Sequence, residues 1–141
     1  YIADSAHIDR AIIGEGSEIY GEVFNSVIGS GVYIGKGAVV RDSIIMNSSQ
    51  ILDNAKVYKG IIAENTVIGE NSEVGVGDEV PNKLHPDIYS NGLSTIGENS
   101  IIPPNVKIGK NTAVSGKTQP QDYQDGWLAS GETLIKAGDL R

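Results

Sequence analysis

Residues 28–62 read IGSGVY IGKGAV VRDSI IMNSSQ ILDNAK VYKGI I, and their spacing decides the fold. Ile28, Ile45 and Ile62 stand seventeen residues apart. Between them the chain steps six, six and five, through Ile34 and Val40 and again through Ile51 and Val57. The same frame runs outward to Ile13, Ile68, Ile96, Ile102 and Ile108. Such a period signals stacked repeats, each burying its apolar side only against its neighbours.

Each column of the repeat has a physical reading. The index Ile is the inward residue, and burying one is worth about 1.5–3 kcal/mol. Three positions later stand Gly16, Gly31, Gly37, Asn54, Asn65, Asn71, Asn99, Asn105 and Asn111, with Ser48 the departure. Gly and Asn occupy φ > 0 most cheaply, so a left-handed corner is expected once per hexad. Four positions after the index stand Ser17, Val32, Ala38, Ser49, Ala55, Thr66, Ser72, Ser100, Val106 and Thr112, small enough to turn inward beside a corner. Three sides then close one coil of a triangular prism, with successive coils paired as parallel strands about 4.8 Å apart. A flat sandwich would alternate at period two, and a helix would need a 3.6 period and fewer glycines. Composition agrees: 18 Gly against 5 Pro, with only 6% aromatics in 141 residues, fits many short strands and tight turns.

The pattern sets the expected organisation: an all-β, parallel β-helix over residues 1–116 and a capping tail over 117–141. The coil from Ile13 to Val27 is two residues short, where IYGEV replaces a full hexad. Residues 81–95, PNKLHPDIYSNGLST, carry Pro81, Pro86, Asn91 and Gly92 and read as an excursion before the repeat resumes at Ile96. The end of such an array needs a cover, and Glu132–Ala137 is the expected strand for it. The chain opens on Tyr1, and we read it as part of a longer protein.

The formal net charge of −7 disfavours nucleic acid as a partner. Absence of cysteine excludes a disulfide framework and a Cys-based metal site. No apolar stretch approaches the ~20 residues needed to cross a membrane. A cytoplasmic setting is the expectation.

Two stretches go beyond a generic hexapeptide repeat. IYGEVFNSVIGSGVYIGKGAVVRDSIIM, residues 19–46, joins a short coil to Gly-rich hexads and a D-S-I-I-M sequence. Val74-Gly75-Val76-Gly77-Asp78-Glu79, then Pro81 and IYSNGLSTIGENSIIP, form an excursion and return. Both resemble the C-terminal domain of bacterial glucose-1-phosphate adenylyltransferase, or its non-catalytic relative. Likeness to hexapeptide proteins implies a left-handed coil, opposite to the general rule for parallel crossovers.

The resemblance implies a parent that makes ADP-glucose and pyrophosphate from ATP and glucose 1-phosphate for glycogen or starch synthesis. Its active site, with Mg and ATP, lies in a separate N-terminal domain. This segment is then expected to hold no cofactor and no catalytic or metal residue, and to be inactive alone. Its Gly-rich hexads precede strands rather than helix N-termini, so they read as corners and not phosphate loops. The implied partners are the catalytic domain, other subunits of a homo- or hetero-tetramer, and a sugar-phosphate or phosphate effector. An anion site needs basic side chains, and the candidates are Arg41, Lys59 and Lys83; each reads more simply as a solvated surface charge. Glu64 and Glu98 stand where some family members carry a basic residue, which weakens the anion reading.

Four large side chains, Tyr20, Phe24, Tyr33 and Met46, are the expected contact surface. Tyr33 precedes Ile34 and Met46 follows Ile45, so strand alternation turns both outward. The alternative is an acyl-CoA-dependent acyltransferase, which places a general-base His at a seam between coils of a trimer. Here His7 and His85 are the only histidines, and the three His ligands of a γ-type carbonic anhydrase are not supplied.

Overall fold

The computed structural model describes residues 1–136; the expected terminal strand reaches Ala137, which lies outside them. The described chain is a left-handed parallel β-helix, as the hexads predict. The index column runs through it: Ile28, Ile34, Ile45, Ile51, Ile62, Ile68, Ile96, Ile102 and Ile108 are each 0–1% exposed. Ile13, in the first coil, is half-buried against them.

Three faces enclose this core. The first stacks Glu18–Ile19, Tyr33–Ile34, Gln50–Ile51, Val67–Ile68 and Ile101–Ile102. The second stacks Val39–Arg41, Lys56–Tyr58, Glu73–Val74, Lys107–Ile108 and Trp127–Leu128. The third stacks Ile44–Ile45, Gly60–Ile62, Ser94–Ile96, Thr112–Ser115 and Thr133–Ile135. The strands His7–Ile13 and Glu22–Ile28 run through the corner between the second and third faces and join them into one sheet. Register follows the seventeen-residue period, with Ile28 beside Ile45 and Ile45 beside Ile62. The short coil pairs Ile13 with Ile28, and its missing residues come from the corner between Ile19 and Val23, which still pair with Ile34 and Val40.

The corners take the conformation that Gly and Asn allow. Gly16, Gly31, Gly37, Asn54, Asn65, Asn71, Asn99, Asn105 and Asn111 all have φ between +56° and +76°, and Ser48 joins them at +64°. The small residues that follow are buried, and their hydroxyls bind the backbone of the next coil. Ser49 Oγ donates to Ala63 O at 2.7 Å and accepts from Thr66 N at 3.1 Å; Ser72 does the same with Pro103 O and Val106 N. Among the described residues no buried side-chain polar atom lacks a partner, as a core this rich in hydroxyls requires. Asn99 is exposed, so Asn99→Val tests the corner alone. It should cost about 1–3 kcal/mol of strain, read from the denaturant midpoint.

A second left-handed column, at the corner between the second and third faces, holds Arg10, Asn25, Asp42 and Lys59 with φ of 48–53°. Neither Arg nor Lys signals that conformation in sequence.

The chain leaves the prism after Val74 and rejoins it at Ser94, whose N–H donates to Lys59 O at 3.0 Å. Two asparagines fasten the excursion to the last coils. Buried Asn82 donates through Nδ2 to Asn111 O at 2.9 Å and Thr133 Oγ1 at 3.2 Å. Its Oδ1 accepts from the N–H groups of Leu84 and His85. Asn111 donates to Val80 O and accepts from Gly92 N, each at 2.8 Å, so it grips both arms of the loop. Further on, Trp127–Leu128 and Thr133–Ile135 continue the parallel ladders of the second and third faces.

Tyr123 is 5% exposed, with its hydroxyl 2.7 Å from Thr118 Oγ1. Burial pushes its phenol up to about 12, against the opposing pull of the Thr118 hydrogen bond. The unfolded phenol titrates near ~10. Stability from this group is therefore complete below about pH 10 and lost as pH rises toward 12. Tyr123→Phe should remove an alkaline stability loss of about 2–3 kcal/mol, visible as a flatter melting temperature across that window.

Candidate functional site

The basic candidates are placed separately, each engaged by the fold. Arg41 ends a strand of the second face, its guanidinium over the Phe24 ring at 4.6 Å. Lys59 follows in the next coil, where its N–H donates to Arg41 O at 3.0 Å. Its side chain turns away to the excursion, with Nζ 2.6 Å from Asn91 O. Lys83 pairs with Glu132 beside the last coils. Arg41 is the one of the three bound by a ring rather than by an oxygen, and among the described residues no acceptor takes up its guanidinium donors. Glu64 and Glu98 stack directly, Asn99 N donating to Glu64 O at 2.9 Å, and both are exposed at a corner of the third face.

The four large side chains fall on three faces. Tyr33 and Tyr20 meet on the first, ring centroids 5.6 Å apart, with Tyr1 on the far side of Tyr20 at 5.8 Å. Phe24 lies on the second face between Arg41 and His7, whose ring is 5.6 Å away. Met46 lies on the third, 37% exposed. A single flat contact therefore reaches only part of this set.

The third face carries a feature that these four residues do not show. Ile12, Val27, Ile44 and Ile61 precede the index residues and stack in register along it. Ile12 is 71% exposed, Val27 44% and Ile44 43%. The signal was in the sequence as Ile-Ile and Val-Ile doublets, of which only the second member can face the core.

Where the short coil cuts its corner, a hollow of about 460 Å³ opens between Tyr20, Gly21, Lys36 and Asp53. Its one lysine is opposed by Glu22 and Asp53, which gives it no anion-binding character. His7 sits in the first coil, while His85, beside Tyr89, lies in the excursion over the last coils. The two do not share a site within one chain. Among the described residues no three His, Asp or Glu side chains converge as metal ligands. No helix among them is long and apolar enough to cross a membrane.

Residues 2–93 match the family of GlmU-like C-terminal hexapeptide domains. A glucose-1-phosphate adenylyltransferase of Lachnospira eligens is 73% identical over 97 residues, covering 69% of this chain and 23% of its own length. That of Ruminiclostridium cellulolyticum is 66% identical over the same length, with the same coverage. The chain thus spans under a quarter of these relatives. Among solved structures, AntD, an N-acyltransferase from Bacillus cereus, superposes with a TM-score of 0.51 at 14% identity, over 92% of this chain and 75% of that one. This last likeness is one of fold alone.

Proposed function

The chain belongs to the GlmU-like C-terminal hexapeptide family, and from that footing we propose that it is the assembly and regulatory β-helix of a glucose-1-phosphate adenylyltransferase. The observation that carries the reading is the 73% identity over 97 residues to an enzyme of that name. On this reading a separate catalytic domain makes ADP-glucose from ATP and glucose 1-phosphate for glycogen synthesis, in the cytoplasm. Mg and ATP would be held there. The donor set on this chain does not fit them, since no acidic cluster is assembled among the described residues.

The prism suits an assembly role physically. Its core is closed and its faces are regular, so it presents side chains at fixed spacing, and contact need order side chains but no backbone. The regulatory part rests on Arg41, a guanidinium held against Phe24 at an exposed position. A planar fork whose donors have no acceptor among the described residues suits a phosphate group. Inorganic phosphate or fructose bisphosphate should raise the melting temperature of the chain, and Arg41→Ala should abolish the rise. An undiminished rise in the variant would remove Arg41 from the role.

The enzyme reading is tested in the parent protein. Deleting this segment should abolish its tetramer and most of its ADP-glucose synthesis, while the isolated chain should neither make ADP-glucose nor turn over acetyl-CoA. A parent without ADP-glucose synthesis, or acetyl transfer by the chain, would overturn it.

A further inference from the structure

We propose that the third face pairs with the same face of a second copy of this chain, the prisms side by side and parallel, about a two-fold axis along the index column. The proposal rests on the assembly role above, but not on the parent's catalytic identity.

The face has two outward columns flanking Ile13, Ile28, Ile45 and Ile62. The one before the index is bulky: Ile12, Val27, Ile44 and Ile61. The one after it is small except at one coil: Gly14, Gly29, Met46 and Ala63, aligned by their N–H bonds to the neighbouring coils. A parallel two-fold sets the bulky column of each copy against the small column of the other, so Ile12 meets Gly14, Val27 meets Gly29 and Ile61 meets Ala63. An antiparallel two-fold would set bulky against bulky. Two-fold contacts are self-complementary by construction, and here the relief of the face already is.

The edges of the face select the same arrangement by charge. One edge is the second left-handed column, Arg10, Asn25, Asp42 and Lys59. The other is Glu15, Ser30, Asn47 and Glu64, stacked through bonds from Gly31 N to Glu15 O, Ser48 N to Ser30 O and Asn65 N to Asn47 O. The parallel two-fold brings opposite edges together at matching heights: Arg10 faces Glu15 and Asp42 faces Asn47, while Lys59, whose Nζ is held on Asn91 O, stays with the excursion. Asn47 Oδ1 already accepts from Ser30 N at 2.9 Å, which orients its amide nitrogen as a donor for the facing Asp42. The antiparallel alternative would part Arg10 from Glu15 and set it at the Lys59 corner, which offers it no carboxylate. Across the four coils the face measures about 20 Å by about 17 Å, well short of the ~800 Å² per partner of a standard interface. The pairing is accordingly a weak one, made firm only where other contacts join it.

Sedimentation equilibrium of the chain, from micromolar to near-millimolar concentration, tests this. A reversible dimer is expected. Ile44→Asp should weaken it about tenfold or more, with circular dichroism unchanged because the side chain is outside the core. Arg10→Glu alone should weaken it, and Arg10→Glu with Glu15→Arg should restore it. A monomer throughout overturns the proposal and leaves the face to another domain of the parent. A dimer indifferent to Ile44→Asp overturns it too, as does one that Arg10→Glu alone does not weaken. None of these outcomes bears on ADP-glucose synthesis, so the pairing and the enzyme reading fail separately.

Discussion

Asn111→Ala should release the excursion before it unfolds the prism. This one side chain has three tasks: it holds a left-handed corner at φ +56°, donates to Val80 O and accepts from Gly92 N. Asn111 is 4% exposed and Gly92 is buried, so water does not simply replace the acceptor that Gly92 N loses, whereas Val80 is exposed and its oxygen can be rehydrated. Leaving a buried donor or acceptor unsatisfied costs about 1–3 kcal/mol, and the strain of Ala at that φ adds about another 1–2. The total of about 3–5 kcal/mol should appear first as faster hydrogen exchange in residues 80–93, with the Ile28–Ile68 coils still protected. Asn111→Gly keeps the backbone conformation and loses only the hydrogen bonds, so it should recover the strain part. Uniform exchange throughout the chain would show that the loop and prism unfold as one unit.

The second large effect is expected at Gly75, where the chain departs. Its φ is +90°, and a Cβ there would lie 2.0 Å from the carbonyl oxygen of Tyr58 in the preceding coil. That oxygen ends the strand Lys56–Tyr58, which is paired with a neighbouring strand on each side, so the backbone cannot readily swing aside. Gly75→Ala should therefore cost more than about 3 kcal/mol, beyond the ordinary range for a surface substitution. Gly16 is the control. It too has positive φ, +74°, but a Cβ there would approach no closer than 3.9 Å to Gly31 N. Gly16→Ala should therefore cost only the strain of that φ, about 1–2 kcal/mol. Equal melting-temperature losses in the two variants would show that φ, not space, governs both sites.

The prism was legible because its causes are local and repeated. One inward Ile, one left-handed corner and one small inward residue recur per hexad, and any coil predicts the next. The second left-handed column was not legible. Asn25 and Asp42 are permissive at φ > 0, but Arg10 and Lys59 are held there by the coil they belong to, an override that sequence does not announce. Alternation correctly turned Tyr33 and Met46 outward. It did not say which of three faces each would reach, because that depends on counting corners through the short coil. The same limit hid Asn82, whose partners Asn111 and Thr133 become neighbours only once two further coils have closed.

The short coil and the excursion together bear on how the chain finds its fold. Closing one ordinary coil brings together residues seventeen apart, as between Ile45 and Ile62, whereas the coil bearing the excursion must bring Ile62 to Ile96. That doubling of the loop adds only about 0.6 kcal/mol of closure entropy. Growth of the structure from its early coils should thus slow a little at Ile62 without stopping there. A lineage could lengthen one corner by a whole coil's worth of residues at a small kinetic penalty, provided that fasteners such as Asn82 and Asn111 later hold the surplus down.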